Sequence, residues 1–187
     1  RHRIELMIVN QLAMLAVTRG SFAEALRLAD RGMAMTEGSS PRLRAMATMR
    51  RGRALAAAGH RVGLGELRHA VAMLGDGVRD ADPSWAWWVT IPEVTVHQAL
   101  AASEVGDHAQ AVDLAHQAAA GLDPTQRRDQ VIFRGVVLRT ATAAGAWAEA
   151  IVAVEALAEI LPMAGSARAI AMVRTVADTL PTNAPTQ

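Results

Sequence analysis

The hexapeptide GDHAQA at residues 106–111 has two close copies in this chain, GSFAEA at 20–25 and GAWAEA at 145–150. The shared form is Gly, any residue, a ring, Ala, Glu or Gln, and Ala. A weaker copy, GHRVGL, lies at 59–64. The first glycines of these copies are 39 residues apart from Gly20 to Gly59, and again 39 apart from Gly106 to Gly145. Equal spacing of a turn signature indicates a repeat array.

Each copy lies between two Ala-rich apolar runs, which favour helix over strand. Its glycine suits the left-handed position that ends a helix, where a side chain is penalised. The alanine five residues later falls in the first turn of the next helix, where a larger side chain would separate axes packed about 8–10 Å apart. Each unit is therefore predicted to be an antiparallel helix hairpin. Ser21 with Glu24, and Asp107, are predicted to cap the helices that follow their turns.

Composition narrows the fold and the function. The chain has 187 residues, 51% of them hydrophobic, which is enough for the core of one domain, and no run alternates with period two. Its formal charge of +1 is too small for overall attraction to nucleic acid. The absence of Cys excludes disulfides, thiol catalysis and zinc-thiolate sites. No apolar run approaches the length of a membrane span, about 18 residues. We see no signal peptide and expect a cytoplasmic protein; the Arg at position 1 indicates a fragment of a longer chain.

The pattern predicts nine helices and one domain. They are expected at about residues 4–19, 22–36, 42–58, 64–74, 92–105 (or from 85), 108–120, 126–144, 147–161 and 167–180. A single α-solenoid is predicted over 1–180, with repeats at 4–36, 42–74, 85–122 and 126–161 and a capping helix at 167–180. The polar stretch at 75–84 is the candidate boundary between two parts of the array. Residues 181–187 are expected to be disordered.

These turns resemble those of tetratricopeptide repeats (TPR). With each turn glycine counted as position 15, the small residue of position 8 is present as Ala13, Gly52 and Ala99, and the alanine of position 20 as Ala25, Ala111 and Ala150. The departures are Leu138 at position 8, Leu64 at position 20, Val71 and Leu157 at position 27, and one spacing of 47 residues. The resemblance implies an all-α, TPR-like α-solenoid of about four helix hairpins plus a C-terminal capping helix.

A narrower resemblance concerns function. The stretch DPSWAWW at 82–88, Glu93, the pair at 127–128 and SAR at 166–168 are similar to the C-terminal TPR region of bacterial Xre-type helix-turn-helix transcriptional regulators. That resemblance implies the sensor or dimerisation part of a regulator. No helix-turn-helix is recognisable in this chain, so we expect its DNA-binding domain upstream and no direct nucleic acid contact. The alternative is a scaffold or accessory protein that mediates protein–protein interaction in a biosynthetic or signalling complex.

The TPR resemblance also implies a ligand groove, because these arrays bind partners on a concave face lined by the first helix of each pair. Transferred by position, the groove residues are Asn10, Met14, Met49, Arg53, Trp88, Glu93, His97 and Arg139. Methionine surfaces adapt to varied partners, and Arg binds carboxylates through two hydrogen bonds. The expected occupant is a peptide, a protein or a small amphipathic ligand. The alternative is that the methionines are core and the two arginines are solvated at the rim.

Other clusters have competing interpretations. Seven arginines at 42–68, opposed there only by Glu66, indicate a solvated helix pair or a docking patch for DNA or an acidic partner. The tryptophans at 85, 87 and 88 form either a stacking wall for a ligand or a plug between repeat blocks. No pair of His has the four-residue spacing of a helical metal site and no catalytic motif is present, so we expect no metal, no cofactor and no enzyme activity. The first helix exposes an apolar face, which makes a homodimer one expectation.

Overall fold

The fold is an uninterrupted succession of helices. The computed structural model describes residues 2–75, 82–123, 125–161 and 167–177, and within these ranges it contains nine α-helices, a short 3-10 turn and no strand. The helices are α1 (His2–Thr18), α2 (Phe22–Met35), α3 (Pro41–Ala57), α4 (Val62–Leu74), α5 (Ile91–Glu104), α6 (His108–Ala120), α7 (Arg127–Ala144), α8 (Trp147–Ile160) and α9 (Ala167–Ala177). The predicted all-α fold is confirmed. The predicted tail at 181–187, most of the polar stretch at 75–84 and the predicted end of α9 at 180 lie outside the described residues.

The four repeated turns share one backbone geometry. Gly20, Gly59, Gly106 and Gly145 have φ of 73°, 86°, 83° and 69°. In each turn the residue after the glycine donates its N–H to the carbonyl five residues before it, as in Ser21 N to Ala16 O at 2.9 Å. This pairing satisfies carbonyls that the helix end leaves unpaired. The predicted role of the glycines is therefore confirmed, also for the weak copy at 59–64.

The predicted side-chain caps after these turns are wrong. Ser21 and Asp107 occupy the N-cap positions of α2 and α6, but neither side chain accepts a capping hydrogen bond. Their ψ angles are 63° and 68° instead of extended, so the side chains are not directed at the first free amides of the helix. Thr90 has the extended conformation, with ψ of 166°, and it does accept from the Glu93 amide at the start of α5.

Small residues let the paired helices approach closely. Ala25, Ala111 and Ala150 are buried where they were predicted, in the first turn of α2, α6 and α8. In the second hairpin the contact moves one residue earlier, to Gly63: a Cβ added there would lie 2.4 Å from the carbonyl oxygen of Gly52 on α3. That shift explains why the repeat tolerates Leu64, whose side chain enters the core.

The order of contacts gives the array its sense of curvature. α1/α2, α3/α4, α5/α6 and α7/α8 form hairpins, and α9 packs on α7. The first helices of successive hairpins (α1, α3, α5 and α7) also contact one another, whereas within the described ranges the second helices make at most marginal contact with each other. The array is therefore narrower on the side of the first helices, which we call the inner face. None of the described helices has both the length and the apolar character needed to cross a bilayer.

The core continues past the predicted boundary at 75–84. One buried cluster includes Leu67 and Leu74 of α4 together with Val89 and Val94, which lie beyond the boundary. A second cluster extends from α5 to α9. Because α4 packs directly on α5, the polar stretch does not divide the buried core among the described residues.

Candidate functional site

The predicted groove residues divide by depth. Met49 lies in the core with its side chain fully buried, as does Met46, and this corrects the predicted place of Met49 in the groove. The reason is that α3 packs against α1, α2, α4 and α5 at once, so little of its surface stays accessible. Met14 is half-buried on α1. The remaining predicted groove residues fall into two polar groups that link the first helices of successive hairpins.

The first group, here called the central cluster, consists of Asn10, Arg50, Trp88, Glu93 and His97. The buried guanidinium of Arg50 lies at its middle: Nε donates to Asn10 Oδ1 at 3.0 Å, and Nη1 is 3.1 Å from His97 Nε2. The Arg50 Cζ atom is also 5.5 Å from the centroid of the Trp88 ring. Three hairpins therefore meet at one cation, a member of the cluster predicted to be either a solvated helix pair or a docking patch.

The charge of Arg50 determines how the His97 ring is protonated. A guanidinium only donates, so the neutral ring accepts through Nε2 and carries its own proton on Nδ1. Glu93 Oε1 lies 3.3 Å from the same Nε2 and becomes a hydrogen-bond acceptor for it when Nε2 carries a proton. Protonation of His97 would therefore exchange Arg50 for Glu93 as the partner of Nε2.

Two buried donors of the central cluster have no acceptor in the part of the chain that the structure describes. Asn10 directs Oδ1 at Arg50, which leaves its Nδ2 group without a hydrogen-bond partner among the described residues. The Nδ1 atom of His97 is likewise buried and unpartnered. A buried donor without an acceptor costs about 1–3 kcal/mol. Beside a cation, these two donors form a group suited to an oxygen acceptor.

The surroundings of His97 favour its neutral form. Burial lowers the pKa of His97 below its ordinary value of 6.5. The hydrogen bond and the charge of Glu93 oppose this shift, while the charges of Arg50 and Arg53 add to it. Folding is therefore coupled to the loss of a proton at this ring.

We expect His97 to make the fold less stable in mild acid. As the pH falls below about 6.5, the unfolded chain binds a proton at this histidine and the folded chain does not, so the free energy of unfolding decreases by at most about 1.4 kcal/mol per pH unit. The decrease stops once the pH is below the depressed folded pKa. Urea unfolding at pH 8.0 and 5.5 of the native chain and of His97→Gln measures this contribution, since other titrating groups act in both. An identical pH dependence in the two proteins would contradict it.

The second group, here called the ion triad, consists of Arg53, Glu104 and Arg139. The guanidinium of Arg53 forms two hydrogen bonds with the Glu104 carboxylate, one of them Nη2 to Oε1 at 2.9 Å. Arg139 Nη2 lies 3.7 Å from Glu104 Oε1. The predicted carboxylate partner of Arg53 is therefore a residue of the chain itself, and Arg139 remains the exposed member of the group.

Negative charge continues along the inner face onto α7. Burial and the nearby charge of Glu93 raise the pKa of Asp129, and Arg128 opposes them. Glu93 on α5 is thus close enough to shift the pKa of Asp129 in the next hairpin. The inner face carries buried donors around Arg50 and acidic groups on the side of α7.

The arginine cluster is only partly the solvated helix pair that was predicted, because Arg61 is exposed together with Arg44 and Arg68. Arg42 lies 3.3 Å from Asp82 with both side chains nearly buried, Arg51 is 2.9 Å from Asp30, and Arg61 is 3.6 Å from Asp107. With Arg50 and Arg53 buried as well, five of the seven arginines connect one hairpin or connecting segment to another. Arg44 and Arg68 are exposed.

The tryptophans behave mainly as the predicted plug. Trp85 and Trp88 are half-buried against the core cluster that joins α3, α4 and α5, and Trp87 is exposed. Of the three rings, Trp88 alone is recorded against a cation, Arg50. Of the three tryptophans proposed as a stacking wall, Trp88 is therefore the one that remains a candidate for ligand contact.

Comparison with known proteins agrees on the fold. No sequence-family profile and no curated protein sequence matches this chain. Among solved structures, one from Podosopora anserina, described as a kinesin light chain with nearly identical TPR-like repeats, aligns with 97% of this chain and 79% of its own at 22% identity, with a TM-score of 0.59. This likeness shows a TPR-like repeat fold.

Proposed function

We propose that this chain is a non-enzymatic binding module that holds an acceptor-bearing ligand, a peptide or a small amphipathic acid, at the central cluster. The observation that supports it is the pair of buried donors, Asn10 Nδ2 and His97 Nδ1, beside the buried guanidinium of Arg50. A carboxylate or carbonyl oxygen would relieve both donors and gain the charge of the arginine. Half-buried Met14, one turn along α1 from Asn10, and half-buried Trp88, beside Arg50, offer apolar contact for the rest of the ligand.

The wider role we propose is that of the sensor part of a bacterial transcriptional regulator, acting in the cytoplasm. Two features support a sensor: α1, α3 and α5 meet at Arg50, and the partner of His97 depends on its protonation. A ligand that adds an acceptor there would change how three hairpins are held together, and so would alter the curvature of the array. A helix-turn-helix encoded directly upstream would support this role. Its absence would favour the scaffold.

An amide-to-acid exchange tests the binding site. Asn10→Asp keeps an oxygen for Arg50 Nε but replaces the unpartnered donor with an acceptor, so the fold should persist while ligand affinity falls at least tenfold, or about 1.4 kcal/mol. The probe is a panel of short peptides, each with a free and with an amidated carboxyl terminus. Binding is screened by thermal shift and measured by isothermal titration calorimetry.

The matched control is Gln117→Glu, the same change of side-chain chemistry at an exposed position on α6. It should bind like the native chain. If no peptide of the panel binds, or if Asn10→Asp binds as tightly as Gln117→Glu, the proposed site is wrong.

A further inference from the structure

The first helix is apolar on both of its sides. Residues 6–18 contain no charged side chain. Its inward side is buried, and the opposite side exposes Ile4, Ile8, Leu12 and Leu15 by 62%, 50%, 45% and 39%. We call these four residues the α1 stripe. A helix that is hydrophobic all round is normally buried all round.

We propose that the α1 stripe is an interface between two copies of this chain, with the two α1 helices packed antiparallel about a two-fold axis. The stripe advances by four, four and three residues, so it reads nearly the same in either direction. In an antiparallel pair Ile4 faces Leu15 of the second copy, and Ile8 faces Leu12. Such self-complementarity is what an isologous two-fold contact requires.

The charge of the α1 stripe is compatible with a second copy. Two identical surfaces repel when they carry net charge, but the α1 stripe is flanked by uncharged residues from Leu6 to Thr18. The nearest described acid, Glu5, is paired with Arg31 of the same chain at the edge of the stripe. Between Leu6 and Thr18, therefore, no charged side chain of one copy opposes a like charge of the other.

The size of the α1 stripe indicates how tightly two copies of the chain should bind. A stable interface buries roughly 800 Å² on each partner, and the α1 stripe extends about 17 Å along one helix at 1.5 Å per residue. Phe22, 37% exposed just after the turn that ends α1, adds apolar surface near it. We expect so short a stripe to form a weak interface, with a dissociation constant in the micromolar range, about −8 kcal/mol. This inference is independent of the central cluster, which lies on α3, α5, the segment before α5 and the buried side of α1.

Sedimentation velocity of the full chain at about 1–200 µM tests the dimer. The native chain should pass from monomer to dimer over this range, and Leu12→Glu should stay monomeric with an unchanged circular dichroism spectrum. The matched control is Val152→Glu, which places the same charge at a 62% exposed apolar position of α8 and should dimerise normally. A native chain that is monomeric at every concentration, or equal dimerisation of the two variants, would overturn the proposal.

Disulfide cross-linking tests the antiparallel register. The chain contains no Cys, so introduced cysteines can pair only with each other. An oxidised equimolar mixture of Ile4→Cys and Leu15→Cys should form a cross-linked heterodimer, since these positions face each other. Ile4→Cys alone should stay uncross-linked, because its two copies would be about 17 Å apart, beyond the reach of a disulfide. Efficient cross-linking of Ile4→Cys alone would overturn the antiparallel arrangement.

Discussion

Replacing Gly63 by alanine should lower the free energy of unfolding by about 3 kcal/mol, the upper end of overpacking effects. The new Cβ would lie 2.4 Å from the carbonyl oxygen of Gly52 and 2.8 Å from the backbone nitrogen of Ala56. Both atoms belong to the backbone of α3, so no side-chain rotation relieves the clash. The two helices of the second hairpin must separate, and the buried contacts around Leu67 are weakened with them.

The control lies two residues further along the same helix. A Cβ on Gly65 would meet nothing nearer than Arg68 Nη2 at 4.0 Å. Gly65→Ala should therefore raise the free energy of unfolding by about 0.5–1 kcal/mol, since alanine restricts the unfolded chain and favours helix. Urea unfolding of the two variants should give changes of opposite sign. A loss below about 1 kcal/mol for Gly63→Ala would mean that α3 and α4 are not in close contact.

The helices and turns could be predicted because their determinants are local. A glycine at the end of an Ala-rich run specifies the left-handed turn, and its hydrogen bonds join residues at most five positions apart, as from Ser21 to Ala16. The sequence shows that Leu64 stands where the repeat has a small residue. It does not show which residue makes the close helix contact instead. Only the packed structure shows that Gly63 takes over the close contact, because that depends on which side of α4 meets Gly52.

For the candidate site, the sequence could predict only which residues share one side of the helices. Repeat position predicted Asn10, Arg53, Glu93, His97 and Arg139 to share the inner side. The structure records Asn10 and His97 at Arg50, Glu93 at His97, and Arg53 and Arg139 at Glu104. The pattern could not say which of them is buried or paired, because Arg50 and Asn10 are 40 residues apart and Arg53 and Glu104 are 51 apart. A weak signal for Arg50 existed, since it lies three residues from Arg53 on the same side of α3. Glu104 carried no signal that sets it apart from other helical carboxylates.

The burial of several arginines between residues 42 and 68 could not be predicted, for a related reason. Between residues 42 and 68 Glu66 is the only acid, so local counting indicated unpaired charge. The acids that neutralise it come from α2, from the segment before the 3-10 turn, and from the end of α5 and the turn after it: Asp30, Asp82, Glu104 and Asp107. In a repeat array the neighbours of a helix belong to other repeats, and charge balance within one hairpin therefore does not predict exposure.

Glu104→Leu should cost about 3 kcal/mol of unfolding free energy, because it leaves a buried cation unpaired. The side chain of Arg53 is 8% exposed and that of Glu104 is 20% exposed. Neither group of this pair can be fully solvated once its partner is removed. Arg139, with a side chain 47% exposed, is the matched control: Arg139→Met removes only the solvated contact and should cost below about 1 kcal/mol. Urea unfolding of both variants measures the difference.

The double variant Arg53→Met with Glu104→Leu separates charge from packing. If the loss in Glu104→Leu comes from the stranded guanidinium, removing that guanidinium as well should restore stability to within about 1 kcal/mol of the native chain, because apolar residues of similar volume often replace a buried pair without loss. If the double variant is instead as unstable as the sum of the two single variants, the pair contributes through its own hydrogen bonds. The ion triad would then stabilise the packing of α3 on α5. Its role would be more than offsetting the cost of burying the Arg53 guanidinium.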